Sequence, residues 1–452
     1  MTRGNRAIRS LALFASLAAL SLFDHCQADE ARRPNLLLIV SDNQPYEDLG
    51  CNGNSAILTP RLDHLAAEGM RLTDFCVASA MCTPSRAAIL TGRYPLRNGL
   101  YDMIRNDDAA DYGCRMTEIE YAVSPEMTLG LDPREILVAQ PLHAAGYATG
   151  VIGKWDSGRA RRFLPLQRGF DFFYGFACTG VDYWTHERYG IPSLFRGNDR
   201  IAEDGYTTDL FCREALRFID DHRDRPWFLY LPFNACHGAS SFDRAGPQAP
   251  DETLSLYPSK LNAKTRARYA SLTRMDEAIG KILDRLDALR LADNTLVLFF
   301  SDNGRLNSFA QSGLRVPFVA RWPGRIPAGA VRNEFVTSFE IFPTLLVAAK
   351  VEVPTGLHID GFDMLPMLGD HARSPRREMA WHERDRSALR VGNIKWIETP
   401  AGSTLFDLGA DPNEQHDLSA TRPELVAEMR ARFTAWRNEL EACEPRGPFR
   451  DY

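Results

Sequence analysis

Four short apolar runs separated by helical patterns constrain the fold of this 452-residue chain more than any other feature. Runs of five to seven mostly apolar residues are typical of strands that a parallel sheet buries on both faces. Strands that alternate with helices indicate an α/β fold, in which helices sandwich a large, mostly parallel sheet. The predicted strands are Asn35–Val40, Ala148–Ile152, Trp227–Phe233 and Thr295–Phe300, and the predicted helices include Thr59–Glu68, Thr208–His222 and Lys264–Leu289.

Each predicted strand is followed by residues that can bind a ligand or a metal ion. In open α/β sheets, ligands bind outside the carboxyl ends of the strands. Asp and Asn also make ordinary turns after strands, and that is the alternative explanation. The tripeptide Ser-Asp-Asn follows two strands that lie far apart in the chain, which favours a shared site over two unrelated turns. The residues concerned are Asp42, Asn43, Lys154, Asn234, His237, Asp302 and Asn303.

The composition excludes several classes of protein. Charged residues make up 25% of the chain and hydrophobic residues 44%, as in a globular protein rather than a disordered, collagen-like or coiled-coil one. The formal net charge is −6, and the sequence shows no basic patch of the kind that binds nucleic acid. We therefore expect no nucleic-acid partner.

The N-terminal residues have the pattern of a signal peptide. Arg3, Arg6 and Arg9 precede an apolar stretch over Leu11–Phe23, and small residues suited to cleavage follow. An uncleaved membrane anchor is the alternative, but this stretch is short for a membrane span. We expect residues 1–28 to be removed and the protein to be exported, periplasmic or secreted, without stable membrane insertion. Export permits disulfides, but the cysteine spacing does not reveal their pairing.

The pattern of the chain changes after a charged segment near residue 375. Ala388–Ile397 and Ser403–Asp407 are predicted antiparallel strands, and Arg422–Cys443 is a predicted amphipathic helix. We therefore expect a main α/β domain over residues 29–375. A small subdomain over residues 376–452 should contain an antiparallel sheet plus a helix.

One segment, Cys82–Gly92, has the features of a reactive site. Thr83 is a predicted helix N-cap and Pro84 a favoured first helical residue, so Cys82 lies beside the positive end of a helix. Free backbone N–H groups at a helix N-terminus bind anions, and the planar guanidinium group of Arg86 can bind a tetrahedral oxyanion. A nucleophile beside an anion site suits ester hydrolysis. The capping residues alone fit equally well with a structural helix that follows a buried cysteine.

The complete string resembles the signature of the type I sulfatases, in the alkaline phosphatase superfamily, and the chain is similar to a divergent, bacterial-type subgroup. The signature is Cys-x-Pro-x-Arg, followed by an apolar pair and Thr-Gly. The resemblance implies that a maturation partner, the formylglycine-generating enzyme, oxidises Cys82 to formylglycine. Other similar strings are Gly146–Trp155, Arg168–Asp171, Asn234–His237, Ser301–Gly304, Arg315–Pro317, Trp322–Gly324, Leu405–Leu408 and Asp411-Pro412.

The resemblance also implies a mechanism. A formylglycine hydrate has two hydroxyls on one carbon, of which one attacks sulfur and the other, once deprotonated, expels sulfate. One divalent cation holds the hydrate. Carboxylate and amide oxygens suit Ca²⁺ better than a soft metal. The implied metal ligands are Asp42, Asn43, Asp302, Asn303 and the modified Cys82.

The resemblance assigns the remaining catalytic roles by position. Lys154 and Arg86 neutralise sulfate and the charge that develops during the reaction. His237 contacts sulfate and protonates the leaving oxygen, although a lone histidine is more often structural. The implied activity is hydrolysis of a sulfate ester, on a sulfated small molecule or, given export, a sulfated glycan.

Three positions depart from the family pattern. Asn43 stands where relatives have a second aspartate, which removes one negative charge from the cation site. Asp156 stands where relatives have histidine, so this carboxylate is either the base or points away and pairs with Arg159 or Arg161. His186 could replace the missing imidazole.

The third departure is a missing lysine. The loop over residues 305–314 has Arg305 as its one cation, and Arg305 could substitute for the family lysine. These changes leave two alternatives open, a phosphate or phosphonate ester hydrolase of the same superfamily and a catalytically impaired, sulfatase-like binding protein. Candidates for lining the substrate pocket are Asp182–Glu187, Arg188, His358 and Trp381-His382-Glu383.

Overall fold

The computed structural model of the chain describes residues 33–104, 130–306, 308–369 and 372–443. The predicted signal peptide at residues 1–28 lies outside these ranges. Within them, no helix is both long enough and apolar enough to cross a membrane. The seven cysteines that the structure describes are all free thiols.

A ten-stranded mixed sheet forms the centre of the fold, as predicted. The strands of the described chain are β1 Asn35–Ser41, β2 Met70–Leu72, β3 Phe75–Cys76, β4 Ala148–Lys154, β5 Phe172–Phe176, β6 Glu187–Arg188, β7 Ile191–Pro192, β8 Leu194–Arg196, β9 Asp199–Arg200, β10 Trp227–Pro232, β11 Thr295–Ser301, β12 Phe318–Arg321, β13 Ala330–Arg332, β14 Val336–Thr337, β15 Glu378–Glu383, β16 Arg386–Val391, β17 Ile394–Thr399 and β18 Gly402–Asp407. The strand order of the large sheet is β13-β2-β12-β11-β1-β10-β4-β5-β8-β9, and its central five strands, β11 to β5, run parallel.

Helices cover both faces of this sheet. Alternate residues of β1 enter different apolar clusters, since Leu36 and Leu38 pack on one face while Leu37 and Ile39 pack on the other. The described helices are α1 Pro60–Glu68, α2 Cys82–Thr91, α3 Pro95–Asn98, α4 Ala139–Ala144, α5 Thr207–His222, α6 Asp251–Leu254, α7 Ala263–Ala288, α8 Gln311–Leu314, α9 Ile341–Ala348, α10 Leu365–Gly369 and α11 Pro423–Glu441.

The C-terminal strands β15 to β18 form the predicted small antiparallel sheet, in sequential order. One face packs on α11 through Leu389, Trp396 and Phe433. The other face joins the core of the large sheet through Trp381 and other apolar residues. The prediction of a strand over residues 388–397 was wrong in one respect, because Gly392 adopts a left-handed φ of 57° and turns the chain between β16 and β17.

Candidate active site

Four neighbouring strands bring the predicted residues to one edge of the sheet. Strands β11, β1, β10 and β4 are adjacent and parallel, so their carboxyl ends lie side by side. Asp302 and Asp42 each follow the last residue of a strand, and Lys154 is the last residue of β4. His237 lies in the loop after β10. The order of strands therefore explains why residues so far apart in the chain meet.

Helix α2 begins above this edge, two residues earlier than predicted. Cys82 is the first helical residue and Met81 the N-cap, without a side-chain capping bond. The prediction of Thr83 as N-cap was wrong, because its hydroxyl donates instead to Asp156 Oδ1 at 2.9 Å. All ten residues of α2 are buried, so the helix end points into the protein and not into solvent.

Cys82 is fully buried among oxygen atoms. Its Sγ atom lies 3.4 Å from Asp42 Oδ1 and 3.5 Å from Asn43 Oδ1, and either oxygen can accept its single hydrogen. Burial, reinforced by the negative charge of Asp42, raises the pKa of the thiol well above its usual value. The unmodified side chain is therefore a protonated thiol, which is a poor nucleophile.

Two buried cations hold the aspartates at the strand ends. Arg86 Nη2 lies 2.7 Å from Asp302 Oδ2 and 3.4 Å from Asp42 Oδ2, while Lys154 Nζ lies 2.7 Å from the same Asp42 oxygen. Burial alone would lower the pKa of Lys154, but Asp42 raises it above its usual value, so the ammonium stays charged. In Asp42 burial raises the pKa, and Lys154, His237 and Arg86 bring it below its usual value.

The oxygens around Asp42 fit a hard divalent cation. Asn303 Nδ2 donates to Asn43 Oδ1 at 2.7 Å, and Asn43 N–H donates to Asp302 Oδ1 at 3.1 Å. Asn303 Oδ1 is buried and has no hydrogen-bond partner among the described residues. Burial raises the pKa of Asp302 to about 6, although Arg86 lowers it, and a bound cation would favour the ionised carboxylate.

Three residues of the site could bind a metal ion together, through different donor atoms. Atoms of Asp42, Cys82 and His237 lie within 4.8 Å of one another, a mixed set of oxygen, sulfur and nitrogen. The other donors beside Asp42 are amide and carboxylate oxygens, which hard cations prefer.

His237 is fixed in one tautomer. Its Nδ1 atom lies 2.6 Å from Gly238 O, and because a carbonyl only accepts, Nδ1 carries the hydrogen. Burial lowers the pKa of His237 to about 4, although Asp42 raises it. The imidazole is therefore neutral at pH 7 in the metal-free protein, with the lone pair on Nε2.

Asp156 lies inside the site, where its carboxylate contacts helix α2. Oδ1 accepts the Thr83 hydroxyl, and Oδ2 lies 3.5 Å from Lys154 Nζ. The residue is 1% exposed and has a left-handed φ of 51°. Burial raises its pKa, against the effect of Lys154 and Arg86. Of the two orientations considered above, the structure shows the one in which Asp156 faces the site.

The structure does not bring His186 or Arg305 to this cluster. His186 is buried, and its Nε2 atom lies 2.8 Å from the carbonyl of Gly205. Arg305 is 64% exposed and pairs with Glu47 at 3.2 Å. Neither side chain shares a described contact with Cys82, so their substrate-binding roles stay predictions.

A cavity of about 290 Å³ lies beside His237. Arg188 lies in its wall and is 3% exposed, with Nη1 donating to Gly180 O at 3.2 Å and to Ser240 Oγ at 3.3 Å. Among the proposed pocket residues, His358 instead pairs with Asp360 at the surface. Sequence reasoning named Asn43, Arg188 and His237 among its candidates. It missed other residues of this wall, among them Met81, Thr179 and Ser240, because no motif assigns them a role.

Comparison with known proteins agrees with this geometry. The family model described as Sulfatase matches residues 34–351, and the model described as N-sulphoglucosamine sulphohydrolase, C-terminal, matches residues 307–439. The dog (Canis lupus familiaris) N-acetylgalactosamine-6-sulfatase is 34% identical over 87% of this chain and 83% of that protein. Human (Homo sapiens) arylsulfatase A is 31% identical over 88% of this chain and 82% of that protein.

A solved structure extends the likeness to the fold. The crystal structure of Ps i-CgsB in complex with k-i-k-neocarrahexaose superposes with a TM-score of 0.77 at 28% identity, covering 90% of this chain and 93% of that one. The family model alone spans more than half of the chain. On these grounds the protein belongs to the sulfatase family, within the alkaline phosphatase superfamily, and is a hydrolase of sulfuric esters.

Proposed function

We propose that this sulfatase acts on sulfated carbohydrates through a formylglycine hydrate at residue 82, with one bound Ca²⁺ ion. The observation that carries the proposal is the position of Cys82. A complete Cys-x-Pro-x-Arg string begins the buried helix α2, and its thiol lies within 3.5 Å of both Asp42 and Asn43. A modified side chain in this place would lie among oxygens that fit a hard cation.

The modified residue and the cation each supply one part of the chemistry. A hydrate at residue 82 supplies two hydroxyls, one to attack sulfur and one to expel sulfate afterwards. A calcium ion held by Asp42, Asn43, Asp302 and Asn303 would supply positive charge beside the sulfate.

Charged residues of this chain would stabilise the sulfate during transfer. Three buried carboxylates, Asp42, Asp156 and Asp302, lie beside two buried cations, Arg86 and Lys154. A bound divalent cation would make the net charge of these five side chains and the ion positive, as an anionic substrate requires. Because Lys154 and Arg86 are fixed by ion pairs before the substrate arrives, no reorganisation is needed as charge develops.

Proton transfer would fall to His237 and Asp156. A sulfate beside the Nε2 atom of His237 favours the imidazolium, which then gives its proton to the leaving oxygen. Asp156, in the place of the family histidine, would accept the proton that releases sulfate. The bond from Thr83, which adjoins residue 82, holds this carboxylate at the start of α2.

Replacing Asp156 with asparagine tests the base. The amide still accepts the Thr83 hydroxyl but cannot take a proton, so kcat should fall about 100-fold. Since the base acts when deprotonated and burial raises its pKa, wild-type activity should rise with pH above the usual carboxyl range. The variant should lack this rise.

Steady-state rates between pH 4 and 8 measure both effects, and Asp224→Asn, at an exposed aspartate, is the control. An unchanged rate and profile in Asp156→Asn would remove Asp156 from the mechanism.

Replacing Asn43 with aspartate tests the cation site. The change adds one negative ligand, so the Ca²⁺ affinity should increase about tenfold, because ligand charge tunes affinity at such sites. Without Ca²⁺ the variant should be less stable than the wild type, because it adds a second, partly buried negative charge beside Asp42. Calcium titration calorimetry and thermal unfolding measure the two effects. Asn333→Asp makes the same change at an exposed position and should alter neither. Equal affinities in Asn43→Asp and wild type would place the cation elsewhere.

The names of two similar proteins support a carbohydrate substrate. The dog relative is named for a sulfated N-acetylgalactosamine, and the solved structure holds k-i-k-neocarrahexaose. Sulfate release from sulfated mono- and oligosaccharides, with an aryl sulfate and matched phosphate esters alongside, tests the substrate class. We expect a saccharide to have the highest kcat/KM. Release from the aryl sulfate alone would contradict the carbohydrate assignment, and release of phosphate alone would favour the phosphate ester hydrolase.

Export and maturation complete the proposal. Cleavage after residue 28 would deliver the protein to the periplasm or the medium, and a formylglycine-generating enzyme would act on Cys82 as its partner. N-terminal sequencing of the exported protein and the mass of the peptide that contains residue 82 test these two steps. An intact N-terminus on the exported protein, or a plain cysteine in active protein, would contradict them.

A further inference from the structure

The C-terminal sheet holds the segment that leads into the nucleophile helix. Residues 77–81 have no regular secondary structure, so strand pairing does not fix them. Arg390 Nη2 lies 2.6 Å from Asp74 Oδ2, just before β3, and Trp381 Nε1 donates to Val77 O, at the start of the segment, at 2.8 Å. Trp381 belongs to β15 and Arg390 to β16, and each lies about three hundred residues further along the chain than its partner.

Glu383, the last residue of β15, makes the contacts nearest to Cys82. One carboxylate oxygen accepts both the Ser79 hydroxyl and the Ala80 N–H, the latter at 2.8 Å. The Ser79 oxygen in turn accepts the N–H of Met81 at 3.0 Å. A chain of hydrogen bonds therefore runs from Glu383 to the residue that precedes Cys82.

The burial of Glu383 shows that this contact is specific. A carboxylate that is 6% exposed needs hydrogen-bond donors, and both donors come from one short loop. Burial raises the pKa of Glu383 to about 7, although Ser79 and Ala80 lower it. One oxygen of Glu383 accepts both hydrogen bonds that fix the loop. A neutral amide oxygen in the same place can accept the same two hydrogen bonds.

We propose that Glu383 is a positioning residue for the reaction, through which the C-terminal sheet sets the place of residue 82 relative to the oxygens of Asp42 and Asn43. The inference rests on the proposed function. Glu383 touches neither of these oxygens nor the thiol in the described contacts, so it acts through Ser79, Ala80 and Met81. A displacement of about 1 Å at a reacting atom can lower a rate about 100-fold.

Three variants separate positioning from folding. In Glu383→Ala, kcat per mole of formylglycine should fall about 10-fold to 100-fold with KM within threefold of wild type, because the hydrate and not the sugar pocket is displaced. Glu383→Gln should keep kcat within threefold of wild type, since its amide oxygen accepts both bonds. Glu378→Ala is the matched control, because Glu378 lies on the same strand but pairs with Arg432 at the surface. Its kcat should equal that of the wild type.

Hydrogen exchange gives a readout that does not depend on turnover. The amides of Ala80 and Met81 should exchange faster in Glu383→Ala than in wild type, Glu383→Gln or Glu378→Ala. Equal exchange in all four proteins would overturn the inference. So would a loss of kcat in Glu378→Ala or Glu383→Gln as large as in Glu383→Ala. A wild type that releases no sulfate would instead overturn the proposed function, and exchange alone would then decide the role of Glu383.

Discussion

Replacement of Cys82 with alanine should abolish sulfate release, lowering kcat by about four to six orders of magnitude, as loss of a covalent nucleophile does. The fold should survive, because the change removes one buried sulfur whose single hydrogen has only distant acceptors, at 3.4 and 3.5 Å. We expect the free energy of unfolding to change by about 1 kcal/mol. Sulfate release and thermal unfolding measure the two quantities on the same preparation.

Two further variants make this result specific. Cys212→Ala removes another buried thiol, in α5, and should leave turnover unchanged. Cys82→Ser keeps one hydroxyl but lacks the second, so it should take up sulfate at most once without releasing it. Full steady-state turnover by Cys82→Ala would contradict the covalent mechanism. Equal losses in Cys82→Ala and Cys212→Ala would show that the effect is structural.

Replacement of Lys154 with methionine should have the second largest effect. It removes the cation 2.7 Å from Asp42 while keeping an unbranched side chain of similar length. We expect kcat to fall about 1000-fold, as on removal of a fixed group that stabilises a developing negative charge. The free energy of unfolding should fall by about 3 kcal/mol, because Asp42 and Asp156 lose their shared buried partner.

The double variant Lys154→Met with Asp42→Asn separates these two effects. Neutralising both members of a buried pair removes the unpaired charge, so most of the lost stability should return. Activity should stay absent, because both the cation and one metal ligand are gone. If Lys154→Met lowered stability but left kcat unchanged, Lys154 would be only the counterion of Asp42.

The sequence predicts the central sheet because its strands are continuous apolar runs. Strands β1, β4, β10 and β11 agree with prediction within two residues at each end. The outer strands of the sheet have only two to four residues, which is too short for a hydrophobic periodicity to show. Antiparallel pairing begins where β12 joins β11. The turn at Gly392 and Asn393 has apolar residues only before and after this pair, so the prediction joined β16 and β17 into one strand.

The site could be predicted as a set of residues but not as a set of contacts. Sequence order and strand ends were sufficient to group Asp42, Lys154 and Asp302. The orientation of Asp156 depends on Thr83, 73 residues earlier, and the contact of Glu383 with Ala80 spans 303 residues. Tertiary packing alone decides such pairs, so no local pattern reveals them.

The most direct test of the account compares two preparations of the same protein, expressed with and without a formylglycine-generating enzyme. For each, mass spectrometry gives the fraction of formylglycine at residue 82, and sulfate release from an aryl sulfate in Ca²⁺ gives the rate. The account predicts that the rate is proportional to this fraction and close to zero when residue 82 is cysteine. Equal rates in the two preparations would contradict it.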